Sequence, residues 1–299
     1  MVESKIKDIL GKFPKKVSLE PKIIERKDCG TYFREKVEYN TEKGERVKAY
    51  ILIPKRRNGK TPAIFCHHQN AFQWELGKSE VCGISGDPEQ AYAKELAERG
   101  FITFAPDAIA FEERQQNTSF AKKYPFVANF SELSNRLVIG ETLLAKILHD
   151  IFVGIDYLTI RKEVDENKIG FIGHSYGGKM ALWAPAFDKR IKASVSNCGC
   201  VLFKDYKKVG LPIEFTVPNM FNQIEIYDVV RQIEPNSLFL SGKSNDPLSS
   251  GMNVTYMKSK KYFKKGTLNF KMHPGKEHVF SKEMRKEAYN FLDSKLRNS

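Results

Sequence analysis

The chemistry of this chain centres on Gly173-His174-Ser175-Tyr176-Gly177. An apolar run, Ile169 to Ile172, leads into it, and the helix-forming run Gly178-Lys179-Met180-Ala181-Leu182-Trp183-Ala184 follows at once. Strand, sharp turn and helix with a serine at the apex form the context of a G-x-S-x-G nucleophile elbow. The flanking glycines have a steric reason, because strand and helix pass so closely there that a Cβ would clash. A serine hydroxyl becomes a competent nucleophile only when a base takes its proton, and that base must be oriented by a carboxylate.

Six histidines are available. His174 belongs to the turn, with its side chain expected to point away from that of Ser175. His149 falls in a long helical pattern and suits a surface or packing role. The usual order of the partners after an elbow serine is acid, then histidine, which leaves His273 and His278. His273 sits at a strand end. His278 lies in the loop beyond it, from which a base can reach across a sheet, and is the stronger candidate. Asp246 follows an apolar strand and is the preferred acid over Asp228, Glu225 and Glu277; its competing reading is an ordinary turn aspartate before proline. A tetrahedral intermediate needs backbone donors, for which the N–H groups of Tyr176 and Gln69 are the candidates. His67 and His68 invite a metal reading, but strand neighbours point to opposite faces and no third ligand is close in sequence. Neither a metal nor a cofactor is expected.

The elements that must position these groups follow from periodicity. Residues 31–39 and 47–53 read as a hairpin around Asn40-Thr41-Glu42-Lys43-Gly44. Short apolar strands are expected at 62–66, 101–105, 169–172, 191–196, 237–241 and 270–272. Helical patterns are expected from Asp87 to Gly100, from Glu141 to Leu158 and from Glu283 to Leu296, and Ile6, Ile9, Leu10 and Phe13 suggest a short N-terminal helix over about 1–14. Residues 108–135, including Gln115-Gln116-Asn117-Thr118-Ser119, lose periodicity and read as a long loop, and 201–230 read as an irregular insertion; both are expected near the site. Alternating strands and helices imply an α/β fold with a mainly parallel sheet. Ligand sites in such sheets gather at the carboxyl ends of strands, and Ser175, Asp246 and His278 all lie just after strands.

Composition narrows the class. The 299 residues are 41% hydrophobic, enough for a large core, and are read as a single α/β domain over 1–299. No apolar run approaches a membrane span of roughly 18 residues, and the Lys-rich start lacks the apolar centre of a signal peptide. Five cysteines form no Cys-x-x-Cys pair, which favours a reducing cytoplasm. The formal charge is +13. The basic residues are scattered among glutamates and no nucleic-acid motif accompanies them, so solvated surface is the preferred reading. The expected partner is a small-molecule ester; neither nucleic acid nor a membrane is expected, and a homo-oligomer stays open.

With these residues in place, the chain from about residue 31 onward resembles the α/β-hydrolase superfamily, and within it the dienelactone hydrolase-like and acetyl xylan esterase-like groups. The resemblance is carried by GDPEQAYAKELAERGFITFAPDAIAFEER, VDENKIGFIGHSYGGKMALWAPAFDKRIKASV, LFLSGKSNDP and HPGKEHVF. It implies the α/β-hydrolase fold, with helices on both faces of the sheet and an antiparallel N-terminal hairpin. It also implies Ser175, Asp246 and His278 as a triad, and a serine hydrolase acting on esters of small acyl groups. Two positions depart from the pattern. His68 stands where many relatives have glycine, and Ser175 stands where dienelactone hydrolases have a cysteine nucleophile, which points away from dienelactone turnover. A serine peptidase, a thioesterase or a non-catalytic binding protein on the same fold are the alternatives. If His278 is the base, His278→Ala should remove esterase turnover while His273→Ala changes it far less; initial rates with p-nitrophenyl acetate separate the two, and the reverse ranking would assign the base to His273.

Overall fold

The computed structural model describes residues 2–115 and 118–297. The expected loop residues Gln116 and Asn117 lie outside the described residues. Helix α1 (Val2–Leu10) opens the chain. Strands β1 (Lys22–Asp28), β2 (Tyr32–Glu42), β3 (Glu45–Pro54), β4 (Thr61–His67) and β5 (Ile102–Pro106) follow, with helices α2 (Lys78–Val81) and α3 (Tyr92–Glu98) between the last two. Helices α4 (Ser119–Lys123), α5 (Pro125–Val138) and α6 (Leu143–Thr159) lead to β6 (Val164–His174). Helix α7 (Tyr176–Phe187), β7 (Ile191–Asn197), the short helices α8 (Tyr206–Val209) and α9 (Ile226–Arg231), and β8 (Ser237–Lys243) come next. The chain closes with α10 (Met252–Ser259), β9 (Leu268–His273) and α11 (Lys282–Leu296).

The described strands form one nine-stranded sheet in the order β1-β2-β3-β5-β4-β6-β7-β8-β9. The first three strands and the β3–β5 pair run antiparallel. Every pair from β5 through β4 to β9 is parallel. The hairpin and the alternating strands and helices therefore appear as the sequence pattern predicts. β1 has no counterpart in the sequence reading. All seven of its residues are exposed, so it lacks the apolar alternation by which a half-buried strand is recognised.

Residues 108–135 are mostly helical rather than a long loop: α4 and α5 occupy most of the segment. Their signal was weak because Phe120, Tyr124, Phe126 and Phe130 stay exposed, so the apolar residues do not mark a single buried stripe. Two helix starts are conventional. Thr118 caps α4 through a bond from the Ala121 N–H, and Pro125 occupies the first turn of α5, where its missing N–H costs nothing. The stripe expected on α6 is buried, as Leu144, Leu148, Ile151, Ile155 and Leu158 all face the core. Gly154 allows α6 to lie against the sheet, since a Cβ there would sit 2.8 Å from the Phe65 ring. His149 takes the packing role, its Nε2 2.8 Å from the Thr41 carbonyl.

Buried charge braces the loops at the carboxyl edge. The Lys78 ammonium is fully buried and lies 2.7 Å from Asp107, 2.6 Å from Glu112 and 2.8 Å from Glu113. Asp107 also accepts the Lys78 backbone N–H at 2.9 Å, which joins the loop after β5 to the start of α2. Burial pushes the Asp107 carboxyl up, to about 7, against the opposing pull of Lys78. Removing one member of such a cluster leaves buried charge unpaired. Lys78→Ala should therefore cost about 3 kcal/mol of stability, read as a lower urea midpoint; an unchanged midpoint would show that the cluster is replaceable.

Candidate active site

The parallel strands place their carboxyl ends along one edge, and the strand order reverses between β4 and β6. The crevice at such a reversal is where open α/β sheets bind ligands. Gln69 follows β4 and Ser175 follows β6, so the two flank this point. Asp246 follows β8 and His278 follows β9 on the same edge.

Ser175 has φ 56° and ψ −112°, a conformation that a side chain adopts only under constraint. Three features supply that constraint. The Ser175 N–H donates to the Asn197 carbonyl at 2.9 Å. A Cβ at Gly173 would collide with the Gly177 backbone, and one at Gly177 would collide with the His67 carbonyl. The Tyr92 hydroxyl donates to that same carbonyl and fixes it from the other side. Tyr176 begins α7, so its N–H is one of the first-turn donors without an intrahelical acceptor.

Asp246 and His278 are joined: His278 Nδ1 lies 3.1 Å from Asp246 Oδ2. Asp246 is nearly fully buried, and it also accepts the Leu248 N–H at 3.0 Å and the Ser249 hydroxyl at 2.9 Å. Burial alone would raise its pKa, but the hydrogen bond and charge of His278, with the Leu248 and Ser249 donors, hold it below the ordinary value of 3.8. His278 is beside the elbow, because its ring lies 4.6 Å from the ring of His174, the residue before Ser175, tilted by 35°. The His278 side chain remains about one-third exposed, open to an incoming molecule. His273 lies elsewhere, 3.2 Å from Glu287. Among the other acids, Glu225 and Asp228 form the capping box of α9, and Glu277 is exposed.

The loop after β4 has an unexpected support. His67 and His68 do not diverge, because the strand ends at His67 and their rings lie 5.3 Å apart. His68 is fully buried. The Ala108 N–H donates to its Nε2 at 3.1 Å, so the proton resides on Nδ1, which donates to the Gln69 carbonyl at 2.7 Å. Burial pulls both histidines down, His67 to about 3 and His68 to about 4, so they are neutral at physiological pH. The large residue at position 68 thus holds the Gln69 peptide and links it to the end of β5. The Gln69 side chain is tied separately to Glu80 at 3.1 Å.

Asn197 was missed in the sequence. Its amide donates to His174 Nδ1 at 2.8 Å and to the Val279 carbonyl at 3.2 Å, tying the elbow to the residue after His278. Its only sequence signal is a polar residue at the carboxyl end of an apolar strand. His174, expected to face away, becomes the surface on which His278 rests; burial and the neighbouring His278 hold its pKa down at about 3. Phe111 stacks on Tyr176 at 6.0 Å, which brings the segment after β5 to the site. All five cysteines are free. Cys198, Asp246 and His278 present their donor atoms within 4.8 Å of one another, as do Asp107, Glu112 and Glu113, whose centre the Lys78 ammonium already fills. No described helix is long and apolar enough to cross a membrane.

The sheet order, the strained serine at its switch point and the edge-aligned acid and histidine define an α/β-hydrolase. The model of the dienelactone hydrolase family matches residues 78–296, and the chain belongs to that family. A Bacillus subtilis (strain 168) protein named "Putative hydrolase YtaP" is 30% identical over 158 residues, covering 52% of this chain and 50% of that protein. The chain thus spans about half the length of that relative. Among solved structures, a glucuronoyl esterase from Solibacter usitatus superposes with a TM-score of 0.72 at 14% identity, covering 98% of this chain and 91% of that one. Acetyl xylan esterase 1 from Thermoanaerobacterium sp. JW/SL YS485 superposes with a TM-score of 0.63 at 16% identity, covering 97% of each chain. The family match and the superpositions agree on the α/β-hydrolase fold.

The depressed Asp246 pKa has a consequence for acid stability. A carboxylate held below its unfolded value contributes stability above that value and loses it as pH falls through the folded pKa. The Asp246 contribution should therefore be complete above about pH 5 and decline below the unfolded value of 3.8. Urea unfolding of wild type and Asp246→Asn should converge as pH is lowered from about 5 to about 3; parallel curves would show that Asp246 does not titrate with folding.

Proposed function

We propose that the protein is a serine esterase that cleaves carboxylic esters of small acyl groups through an acyl-enzyme. The observation that carries this is the Asp246–His278 hydrogen bond beside the strained Ser175. In the reading offered, Asp246 accepts the Nδ1 proton of His278, which leaves Nε2 as the base. His278 takes the Ser175 hydroxyl proton as the oxygen attacks the ester carbonyl. The N–H groups of Tyr176 and Gln69 receive the developing oxyanion. Collapse expels the alcohol, protonated by His278, and leaves Ser175 acylated. Water, deprotonated by His278, then attacks the acyl-enzyme and releases the acid.

The buried carboxylate supports this division of roles. Asp246 stays ionised throughout the neutral range, so it can stabilise the imidazolium formed in each step. Phe111 and Tyr176 stack, buried, beside the switch point, and Trp74, partly exposed on the Phe111 ring, is the apolar surface an acyl group can reach. The names of the structural neighbours, acetyl xylan esterase and glucuronoyl esterase, favour an ester on a carbohydrate as the substrate class.

Ser175→Ala should lower kcat for p-nitrophenyl acetate by at least roughly 10³-fold with unchanged circular dichroism, and should abolish labelling by a fluorophosphonate probe. Labelling that persists in the variant, or a wild-type rate retained by it, would remove Ser175 as the nucleophile; a wild type that is neither labelled nor active would leave a binding protein on a hydrolase fold.

A further inference from the structure

A second cluster of donor atoms lies outside the catalytic edge's hydrogen-bond network. His273 ends β9, and Glu283 and Glu287 stand one turn apart on α11. Residues four apart on a helix share one face, and here that face meets the end of the strand. One ligand atom from each of the three side chains lies within 4.8 Å of the others.

His273 is the informative member. Its side chain is only 4% exposed. Its Nε2 is buried and makes no hydrogen bond, and the same holds for Glu287 Oε2. The two atoms are nevertheless 3.2 Å apart. Buried donors and acceptors normally find partners, so a close pair without hydrogen-bond alignment calls for an explanation. Two ligands directed at a shared third atom provide it. Around a tetrahedral zinc, with bonds of about 2.0–2.1 Å, neighbouring ligand atoms sit about 3.3–3.4 Å apart. Glu283 is exposed, and one of its oxygens lies within 4.8 Å of the other two ligand atoms. Lys271 pairs with the other oxygen of Glu287 and leaves Oε2 available.

We propose that His273, Glu283 and Glu287 bind a divalent transition metal of the zinc class, with solvent completing the coordination. Imidazole and carboxylate ligands suit such an ion. The reading of the sequence anticipated no metal, because the ligands come from a strand end and a helix separated by a loop. The loop is what gives the site a purpose. Residues 274–281 carry His278, and the ligands bracket them, with His273 on one side and Glu283 and Glu287 on the other. The His273 and Gly275 carbonyls also accept the Ser244 and Asn245 N–H groups at 2.8 and 2.9 Å, which extends the brace to the loop carrying Asp246. A bound ion would fix both loops without touching a substrate.

Isothermal titration of the chelator-stripped full chain with Zn²⁺ tests this, with Co²⁺ absorption as a second readout of coordination. Glu283→Gln is the lead variant because its side chain is exposed. The expected result is saturable binding that weakens at least tenfold in Glu283→Gln and in Glu287→Gln and is retained in Cys198→Ser. Zinc should also raise the Tm of the wild type and not that of Glu283→Gln. Absence of binding would overturn the proposal. So would binding that both glutamine variants retain, or that Cys198→Ser alone removes, which would place the ion at Cys198, Asp246 and His278 instead.

Discussion

The contact on which the site depends is the approach of Gly177 to the carbonyl of His67. It brings the first turn of α7 against the end of β4 and leaves no room for a side chain at 177. The price is a serine at φ 56°, a strain of about 1–3 kcal/mol that persists only where the surroundings over-determine it. Here they do so through the Ser175 N–H to Asn197, the Tyr92 hydroxyl on the His67 carbonyl, and the parallel pairing of β6 with both neighbours. Because β4 and β6 are the strands between which the chain reverses direction across the sheet, the same contact that strains Ser175 also brings the end of β4, which Gln69 follows, against the elbow.

The acid and histidine are held by a different device. Neither lies on a regular element. Asp246 is fixed by local donors, Leu248 and Ser249, within its own turn. His278 is fixed from outside, by Asp246 on one side and the ring of His174 on the other, with Asn197 holding the next peptide. The elbow therefore takes part in positioning the histidine as well as the serine. That coupling explains why a fully buried, neutral histidine occupies position 174: a flat ring is needed there, and a second positive charge beside His278 would oppose its protonation.

Much of the fold was legible because its strands and helices bury one face. The hairpin, the stripe of α6 and the apolar run before Ser175 all carry the period of their element. Where burial does not follow that period, the signal vanished. β1 is exposed throughout, and α5 leaves aromatic residues in solvent, so neither was recognisable. The segments after β7 form several short helices around stacked Phe203, Tyr206 and Phe221, too brief for a period to register.

By itself the sequence determined the elbow. Glycines at 173 and 177 around a serine, between an apolar strand and a helix, are a local requirement, and local sterics can be read from neighbouring residues. It also narrowed the histidine to two positions and the acid to four through chain order. The loop position after a strand favoured His278 and Asp246 among these, but their contact is tertiary, because the Asp246–His278 bond joins residues 32 positions apart through the pairing of β8 with β9. The same pairing sent His273 to the opposite company of Glu283 and Glu287. The roles of Asn197, His174 and His68 likewise arise from where separate strand ends meet, which no local pattern encodes.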